Sequence, residues 1–247
     1  MTNNHALEEI PFEFCVIPRE AYPIMLKYDQ EEDTSFISPL LMSNIKYFDI
    51  YESSLSIFEM KCQIRDFMDL CQILQETFKR QVEGDLAEFG SWKGHSGYLI
   101  SKVMKEHNVQ KRLYMFDMFE EFPQETVGLD VFWNKTHQLD FEEVKENFKH
   151  IDNVTLVKGD FTKTFLDTGI KKLCFVYIDC DSYRGTKYLL NTIYDNYLCK
   201  GGVIVLEDYG NGPLLGIRVA FHEFFDQRKD CFTFFSQFSG HQIICKS

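Results

Sequence analysis

The sequence has little proline, no closely spaced cysteine pair and no long apolar run. Six of the 247 residues are proline and 45% are hydrophobic, which is typical of a folded globular chain. The eight cysteines are scattered without a CxxC pair, which weighs against a zinc site or a disulfide framework. No apolar run approaches the length of a bilayer span, and no signal peptide is evident. We therefore predict a soluble, cytoplasmic protein with no membrane partner.

Basic residues are also in short supply. The chain has 26 lysines and arginines against 38 acidic residues, a formal net charge of −12. Because binding to a phosphate backbone requires a basic surface, this balance argues against nucleic acid as a partner. It leaves open a small anionic substrate held in a local basic pocket.

The first 81 residues differ in pattern from the rest. Residues 1–50 are irregular and contain four of the six prolines, which is typical of an arm or lid. Residues 54–81 carry apolar residues at helical spacing, so we predict one helix, capped by Ser54 or the serine before it. We therefore divide the chain into 1–81, an arm and a helix, and 82–247, the main domain.

From residue 84 onward, strand-like and helix-like segments alternate. The strand-like segments are DLAEFG, RLYMFDMF, NVTLVKGD, LCFVYIDCD, GGVIVLEDY, CFTFFSQF and QIICKS. This alternation predicts an α/β fold with a mostly parallel seven-stranded sheet, helices on both faces and a C-terminal antiparallel hairpin. In such sheets, ligands bind beyond the carboxyl ends of the strands, so the residues at those ends are the candidates for function.

The first three strand ends offer groups suited to a nucleoside-containing ligand. Gly90 and Gly94 allow a tight turn with close backbone approach, although their spacing matches neither GxGxxG nor a Walker loop. Asp117, after the second strand, could accept hydrogen bonds from two ribose hydroxyls or cap a helix. Asp160 and Phe161, after the third, could border an adenine ring or form a plain turn.

The next two strand ends carry a concentration of carboxylates. Asp179 and Asp181 follow the fourth strand, and Glu207 and Asp208 follow the fifth. Like charges at short range repel one another unless one is protonated or a cation lies between them. Mg²⁺ prefers a few carboxylates and keeps its other positions for water or substrate oxygens. We therefore predict a divalent-cation site, the alternative being separate caps and surface charges.

Five motifs occur in a fixed order over roughly residues 82–225. They are GDLAEFGSWKGHS, MFDMFEEFP, GDFTKTF, YIDCDSYRGT and GGVIVLEDYG. Together they resemble the macrocin O-methyltransferase (TylF-type) family of class I S-adenosylmethionine-dependent methyltransferases. The resemblance implies a Rossmann-like fold, S-adenosyl-L-methionine as cofactor, and Mg²⁺ or another divalent cation that orients a sugar hydroxyl for methylation. It also implies that residues 1–81 form an acceptor lid or a homodimer contact.

The resemblance assigns roles to individual residues. The cofactor-binding residues are Glu88, Gly90, Ser96, Asp117, Asp160 and Phe161. The metal ligands are Asp179, Glu207 and Asp208. Beside these, we expect Asp179 to be the catalytic proton acceptor, and Tyr183, Arg184 and Tyr209 to contact a sugar-containing small-molecule acceptor.

The sequence departs from the family pattern at two places. The family's Asp-Gly-Asp is Asp179-Cys180-Asp181 here, and its Asp-Asp-Tyr begins with Glu207. We interpret Cys180 as a substituted glycine and not as a nucleophile. We expect Asp181 to order the loop or to cap the following helix.

Two further groups of residues keep two interpretations each. His137, His222 and His241 are rival bases or ordinary structural histidines. The aromatic residues Phe119, Phe122, Trp133 and Phe141 form either a lid that excludes water or core beneath a long loop.

Three other functions compete with sugar methylation. The nearest is methylation of a non-sugar hydroxyl such as a catechol, which the same carboxylates would serve. A non-catalytic binding protein on the same fold is the second, because fold alone does not give activity. A dehydrogenase is the weakest, since the glycine spacing of a dinucleotide site is missing.

Overall fold

The computed structural model describes residues 45–59, 61–122, 130–131, 134 and 136–247. Within these ranges, seven strands form one sheet. In chain order they are β1 (Asp85–Phe89), β2 (Leu113–Asp117), β3 (Val154–Lys158), β4 (Leu173–Ile178), β5 (Leu198–Leu206), β6 (Cys231–Phe235) and β7 (Gln242–Lys246).

The strands lie in the order β3-β2-β1-β4-β5-β7-β6. The neighbours from β3 to β5 are parallel, whereas β7 pairs antiparallel with both β5 and β6. This arrangement confirms the predicted parallel sheet with a C-terminal antiparallel hairpin. The strand order reverses between β1 and β4, so the crevice expected to hold a ligand opens at their carboxyl ends.

Helices connect the strands. The α-helices in chain order are α1 (Ile45–Ser54), α2 (Ile64–Lys79), α3 (His95–Glu106), α4 (Phe141–Phe148), α5 (Phe161–Thr164), α6 (Tyr183–Asn196) and α7 (Leu215–Phe225). Short 3₁₀ helices span Phe165–Thr168, Glu207–Gly210 and Gly212–Leu214. None of the described helices has the length and apolar character needed to cross a membrane.

Two hydrophobic cores cover the two faces of the sheet. Successive strand residues point to opposite faces, so Leu86 packs in one core and Ala87 in the other. Helices α1, α2 and α3 cover the first face, and α6 and α7 cover the second. Every residue of β4 is buried, as expected for a parallel strand covered on both sides. The prediction of helices on both faces is therefore confirmed.

The predicted single helix over 54–81 is wrong in its first half. Helix α1 ends at Ser54, and α2 begins only at Ile64. Ser54 caps neither helix, because its hydroxyl donates to the carbonyl oxygen of Tyr51 at 2.6 Å. Helix α2 instead begins after Gln63, whose backbone amide donates to the carboxylate of Asp66 at 3.1 Å.

The N-terminal segment is described in part. Residues 45–50, which the sequence analysis placed in an irregular arm, form the first turns of α1. The rest of that predicted arm, residues 1–44, lies outside the described residues. The division of the chain at residue 81 and the predicted homodimer contact stay predictions.

Candidate active site

The carboxyl ends of β1, β2, β4 and β5 border one cavity of about 840 Å³. Most of the predicted site residues line it, namely Gly90, Ser96, Asp117, Asp160, Phe161, Asp179, Arg184, Glu207 and Asp208. Parallel strands bring their carboxyl ends to one edge of the sheet, which explains why residues so far apart in the chain meet here.

Gly90 allows the ends of β1 and β4 to lie against each other. Its φ is +91°, and a Cβ added there would lie 1.8 Å from the carbonyl oxygen of Asp179. The backbone amide of Asp179 donates to the carbonyl oxygen of Phe89 at 2.8 Å, which ties the two strand ends together. Any side chain at Gly90 would have to push the strands apart.

Glu88 is fully buried behind this glycine turn. Its carboxylate accepts hydrogen bonds from the hydroxyls of Ser96 and of Ser91, the second at 3.1 Å. Burial raises the pKa of Glu88 to about 7, although the two serine hydroxyls oppose the rise. Ser91 and Ser96 line the cavity, so Glu88 supports the cavity wall through them and does not form it.

The titration of Glu88 should appear in protein stability. With a pKa of about 7 when folded and an ordinary value of 4.5, the folded chain keeps a proton that the unfolded chain has lost. Stability contributed by this group is therefore full below the ordinary value and declines as the pH rises through the folded value. Between about pH 5 and about pH 8, wild type should lose about 3 kcal/mol of unfolding free energy relative to Glu88→Gln. Urea unfolding of both proteins across this pH range measures the difference. The prediction would be refuted if the unfolding free energies of the two proteins changed in parallel with pH.

Asp117 is held at the end of β2 by two backbone amides. Its Oδ2 accepts from the amide of Trp92 at 2.8 Å, and its Oδ1 accepts from that of Phe119 at 2.7 Å. Burial raises its pKa, and the two amide hydrogen bonds oppose the rise. No helix begins in 118–122, so the helix-cap alternative is wrong. A carboxylate has about four lone-pair sites, so Asp117 keeps acceptor capacity for ligand hydroxyls.

Asp160 and Phe161 form a turn at the cavity wall, and their place beside an adenine ring stays a prediction. The Oδ1 atom of Asp160 accepts from the amide of Thr162 at 2.9 Å and so caps α5, as a turn residue would. Both Asp160 and Phe161 also line the cavity. The ring of Phe161 meets that of Phe89 edge-on at 5.6 Å, which fixes one side of this wall.

Asp179, Glu207 and Asp208 converge, with carboxylate oxygens that all lie within 4.8 Å of one another. Among the described residues, no lysine or arginine forms an ion pair with any of the three. Burial raises the pKa of Asp179 well above its usual range, and the nearby charge of Asp208 adds to the rise. The pKa of Glu207 is raised in the same way, first by burial and then by the charge of Asp179. A divalent cation relieves such repulsion, and oxygen ligands suit Mg²⁺. The longer Glu207 side chain therefore still fits a cation site.

Asp181 does not cap α6, so that part of its prediction is wrong. The cap is Ser182, whose hydroxyl accepts from the amide of Gly185 at 2.9 Å. Asp130 adds a second cap by accepting from the amide of Tyr183 at 2.6 Å. Asp181 instead lines the cavity with a φ of +53°. Burial and a hydrogen bond with the nearby Asp208 raise its pKa to about 11.

Cys180 belongs to the second hydrophobic core and also lines the cavity. Its sulfur lies 3.6 Å from the hydroxyl of Thr186, and the residue is buried. Burial raises the pKa of the Cys180 thiol to about 12, so it is protonated at neutral pH. These observations argue against a nucleophilic role for the thiol, and the interpretation of Cys180 as a substituted glycine stays a prediction.

The three rival histidines occupy different environments. His137 lines the cavity, with its Nε2 atom 3.8 Å from the Oδ2 of Asp181. His222 is exposed on α7 and pairs with Asp226 at 2.8 Å. His241 is fully buried. Of the three, His137 alone borders the cavity, so it is the rival base that the geometry retains.

The two predicted acceptor tyrosines lie away from the cavity wall. The hydroxyl of Tyr183 donates to Glu223 at 2.8 Å, and that of Tyr209 is bonded to His222 at 3.1 Å. Both partners belong to α7. Neither tyrosine is among the described residues that line the cavity, whereas Arg184 is.

The aromatic residues of segment 119–141 lie in different environments. Phe119 is fully buried and stacks on Phe141 with ring centroids 4.9 Å apart, so these two rings belong to the core. Phe122 lines the cavity. Trp133 lies outside the described residues. The core interpretation therefore holds for Phe119 and Phe141.

Asp66 and Trp92 also line the cavity, although neither was predicted from the sequence. Asp66 belongs to α2, and Trp92 supplies the backbone amide that holds Asp117. The available signal was weak. Asp66 is a buried acid beside the apolar residues Ile64 and Phe67. In the sequence it looks like an ordinary polar position of an amphipathic helix.

A parallel sheet with this strand order, a glycine turn after β1 and an acid after β2 defines a Rossmann-like methyltransferase fold. The family model of macrocin-O-methyltransferase (TylF) matches residues 59–231. The chain belongs to this family of methyltransferases, which confirms the resemblance seen in the motifs.

Relatives with assigned reactions are similar over part of the chain. Demethyldecarbamoylnovobiocin O-methyltransferase of Streptomyces niveus is 27% identical over 161 residues, 59% of this chain and 60% of the relative. The tetracenomycin-C rhamnosyl 4'-O-methyltransferase of Streptomyces olivaceus is 28% identical over 143 residues, 52% of this chain and 54% of the relative. The match therefore spans less than two thirds of either relative.

Solved structures are similar over more of the chain. The O-methyltransferase NovP has a TM-score of 0.64 at 22% identity, covering 74% of this chain and 80% of its own. The calicheamicin methyltransferase CalS11 has a TM-score of 0.59 at 17% identity, covering 95% of each chain. At these identities, the similarity establishes the fold.

Proposed function

We propose that this protein transfers a methyl group from S-adenosyl-L-methionine to a hydroxyl of a sugar-containing small molecule, with the aid of a divalent cation. One observation carries the proposal. The carboxylates of Asp179, Glu207 and Asp208 converge in the same cavity that Asp117 and the Gly90 turn border.

The names of relatives support the acceptor class. One relative methylates the 4' position of a rhamnosyl tetracenomycin, and another, from Micromonospora griseorubida, is named mycinamicin III 3''-O-methyltransferase. Family membership supports the methyl donor.

The sulfonium of the cofactor supplies a methyl group that is already activated, so the chain mainly has to bind and orient. In the proposal, Asp117 accepts hydrogen bonds from the ribose hydroxyls, and Asp160 and Phe161 border the adenine. Gly90 and Ser96 border the methionine part. Glu88 acts one layer behind, because it holds the hydroxyls of Ser91 and Ser96.

The three converging carboxylates would hold the cation, which supplies Lewis acidity that favours ionisation of a nearby hydroxyl. Asp179 stands at the end of β4, between the Gly90 turn and the other two acids. We therefore assign Asp179 as the base that takes the proton from the hydroxyl of the acceptor. His137, whose Nε2 lies 3.8 Å from Asp181, is the alternative base on the cavity wall.

An acceptor screen tests the proposal. The purified chain, with S-adenosyl-L-methionine and Mg²⁺, would be incubated with nucleotide-activated sugars, glycosylated natural products and catechols, and products identified by mass spectrometry. We expect a methyl group on a sugar hydroxyl. Products from catechols alone would move the protein to the non-sugar alternative. Cofactor binding without turnover on any acceptor would favour a non-catalytic protein.

A further inference from the structure

His241, immediately before β7, is a polar side chain buried in the protein. It is 0% exposed, and neither ring nitrogen has a partner among the residues that the structure describes. Leaving a buried polar group unpaired is energetically costly, so such a group needs an explanation. The edge-on ring of Tyr177, at 5.9 Å, packs against the imidazole without satisfying it.

The imidazole is aimed at two carboxylates. Its Nε2 atom lies 3.8 Å from the Oδ1 of Asp66. One ligand atom from each of His241, Asp66 and Glu207 lies within 4.8 Å of the others, a spacing that a single ion could bridge. Asp66 and Glu207 both line the cavity, so an ion has a path from solvent. Arg65, whose Nε lies 3.9 Å from Asp66, is the charge with which that ion would compete.

The opposite side of the imidazole faces a supporting carboxylate. The Nδ1 atom lies 3.6 Å from the Oδ2 of Asp69, which accepts a hydrogen bond from the hydroxyl of Ser239. A metal-binding histidine almost always gives its second ring N–H to a carboxylate, carbonyl or water. Asp66 and Asp69 are three residues apart on α2, so one helix face presents both acids to the ring.

We propose that His241, Asp66 and Glu207 bind a second divalent cation, with Glu207 as the carboxylate shared with the Asp179–Asp208 site. One imidazole nitrogen with carboxylate oxygens suits Mn²⁺, Fe²⁺ or Zn²⁺ better than it suits Mg²⁺. The ion would link α2 to the end of β5 and to the residue before β7, and so hold α2 against the cavity. This site goes beyond methyl transfer and does not depend on it.

Counting bound Mn²⁺ tests the site without any activity assay. The chain would be stripped with chelator, titrated with Mn²⁺, separated from free ion and analysed for metal content. Wild type should bind about two equivalents, as in two-metal sites, and His241→Gln about one. The matched control His222→Gln changes an exposed histidine paired with Asp226 and should keep both.

Two further variants separate this site from the first one. Asp208→Asn should lose the other equivalent and keep the one that His241 binds. An alternative outcome is that wild type binds one equivalent that His241→Gln removes and Asp208→Asn does not. That result would support the site at His241 and reject the site at Asp208. Asp69→Asn should weaken Mn²⁺ binding at the second site by about 10–100-fold with its stoichiometry kept.

The proposal would be overturned if folded His241→Gln bound Mn²⁺ with the stoichiometry and affinity of wild type. It would also be overturned if wild type bound a single equivalent that Asp208→Asn alone removed. Should His241→Gln fail to fold, an unchanged Mn²⁺ affinity in Asp69→Asn would reject the site instead.

Discussion

Asp179→Asn should lose methyl transfer almost completely, with kcat lower by about 1,000-fold. The carboxylate of Asp179 lies within 4.8 Å of those of Glu207 and Asp208, and its backbone is bonded to the end of β1. The variant keeps the shape of the side chain but removes a cation ligand and the proposed proton acceptor. Because the substitution leaves the proposed ribose contact at Asp117 unchanged, affinity for S-adenosylhomocysteine should stay within about threefold of wild type.

Single-turnover kinetics and calorimetry on the same preparation would separate the two effects. A suitable control is Asp195→Asn, since Asp195 is an exposed acid that pairs with Arg228 outside the cavity. That control should keep wild-type kcat. An Asp179→Asn enzyme with wild-type turnover would remove Asp179 from the mechanism.

Asp117→Ala should have the largest effect on cofactor binding. We expect the affinity for S-adenosylhomocysteine to fall by at least about 100-fold, because hydrogen bonds to a charged group contribute about 1.5–3 kcal/mol each. The substitution also releases the amides of Trp92 and Phe119, which the carboxylate now holds at 2.8 and 2.7 Å. Asp117→Asn keeps an acceptor for one of those amides, so it should lose less affinity than the alanine variant.

Asp140→Ala is the matched control for the loss of a structural aspartate. Asp140 caps α4 by accepting from the amide of Glu142 at 2.9 Å, and it does not line the cavity. This variant should lose stability, by about 1 kcal/mol for a missing cap, with cofactor affinity intact. Unchanged affinity in Asp117→Ala would exclude the ribose role.

The residues at the strand ends could be predicted because their positions follow from simple geometry. Alternating segments imply parallel strands, and parallel strands bring their carboxyl ends to one edge. Asp117, Asp179 and Glu207 therefore meet in the structure, as expected from their place in the chain. The closing antiparallel hairpin followed from two strand-like segments that lie next to each other in the chain, whereas the strand order is known only from the structure.

Local pattern failed where tertiary contacts decide the outcome. The apolar spacing of residues 54–81 continues through the break between α1 and α2, so periodicity alone predicts one helix. Asp181 looked like a cap, but Ser182 and Asp130 take that role and leave Asp181 facing the cavity. The short distance between Asp66 and His241 brings α2 next to the residue that precedes β7, and no local pattern encodes such a contact.

Cation-dependent methyl transfer to a sugar hydroxyl can be tested by repeating the acceptor screen with and without divalent cation. Each sugar acceptor would be assayed with S-adenosyl-L-methionine in chelator and again after Mg²⁺ is restored. We expect a methylated sugar with Mg²⁺, none in chelator, and at most a trace with Asp179→Asn under either condition. Full transfer in chelator, or cofactor binding with no methylated sugar across the panel, would contradict it.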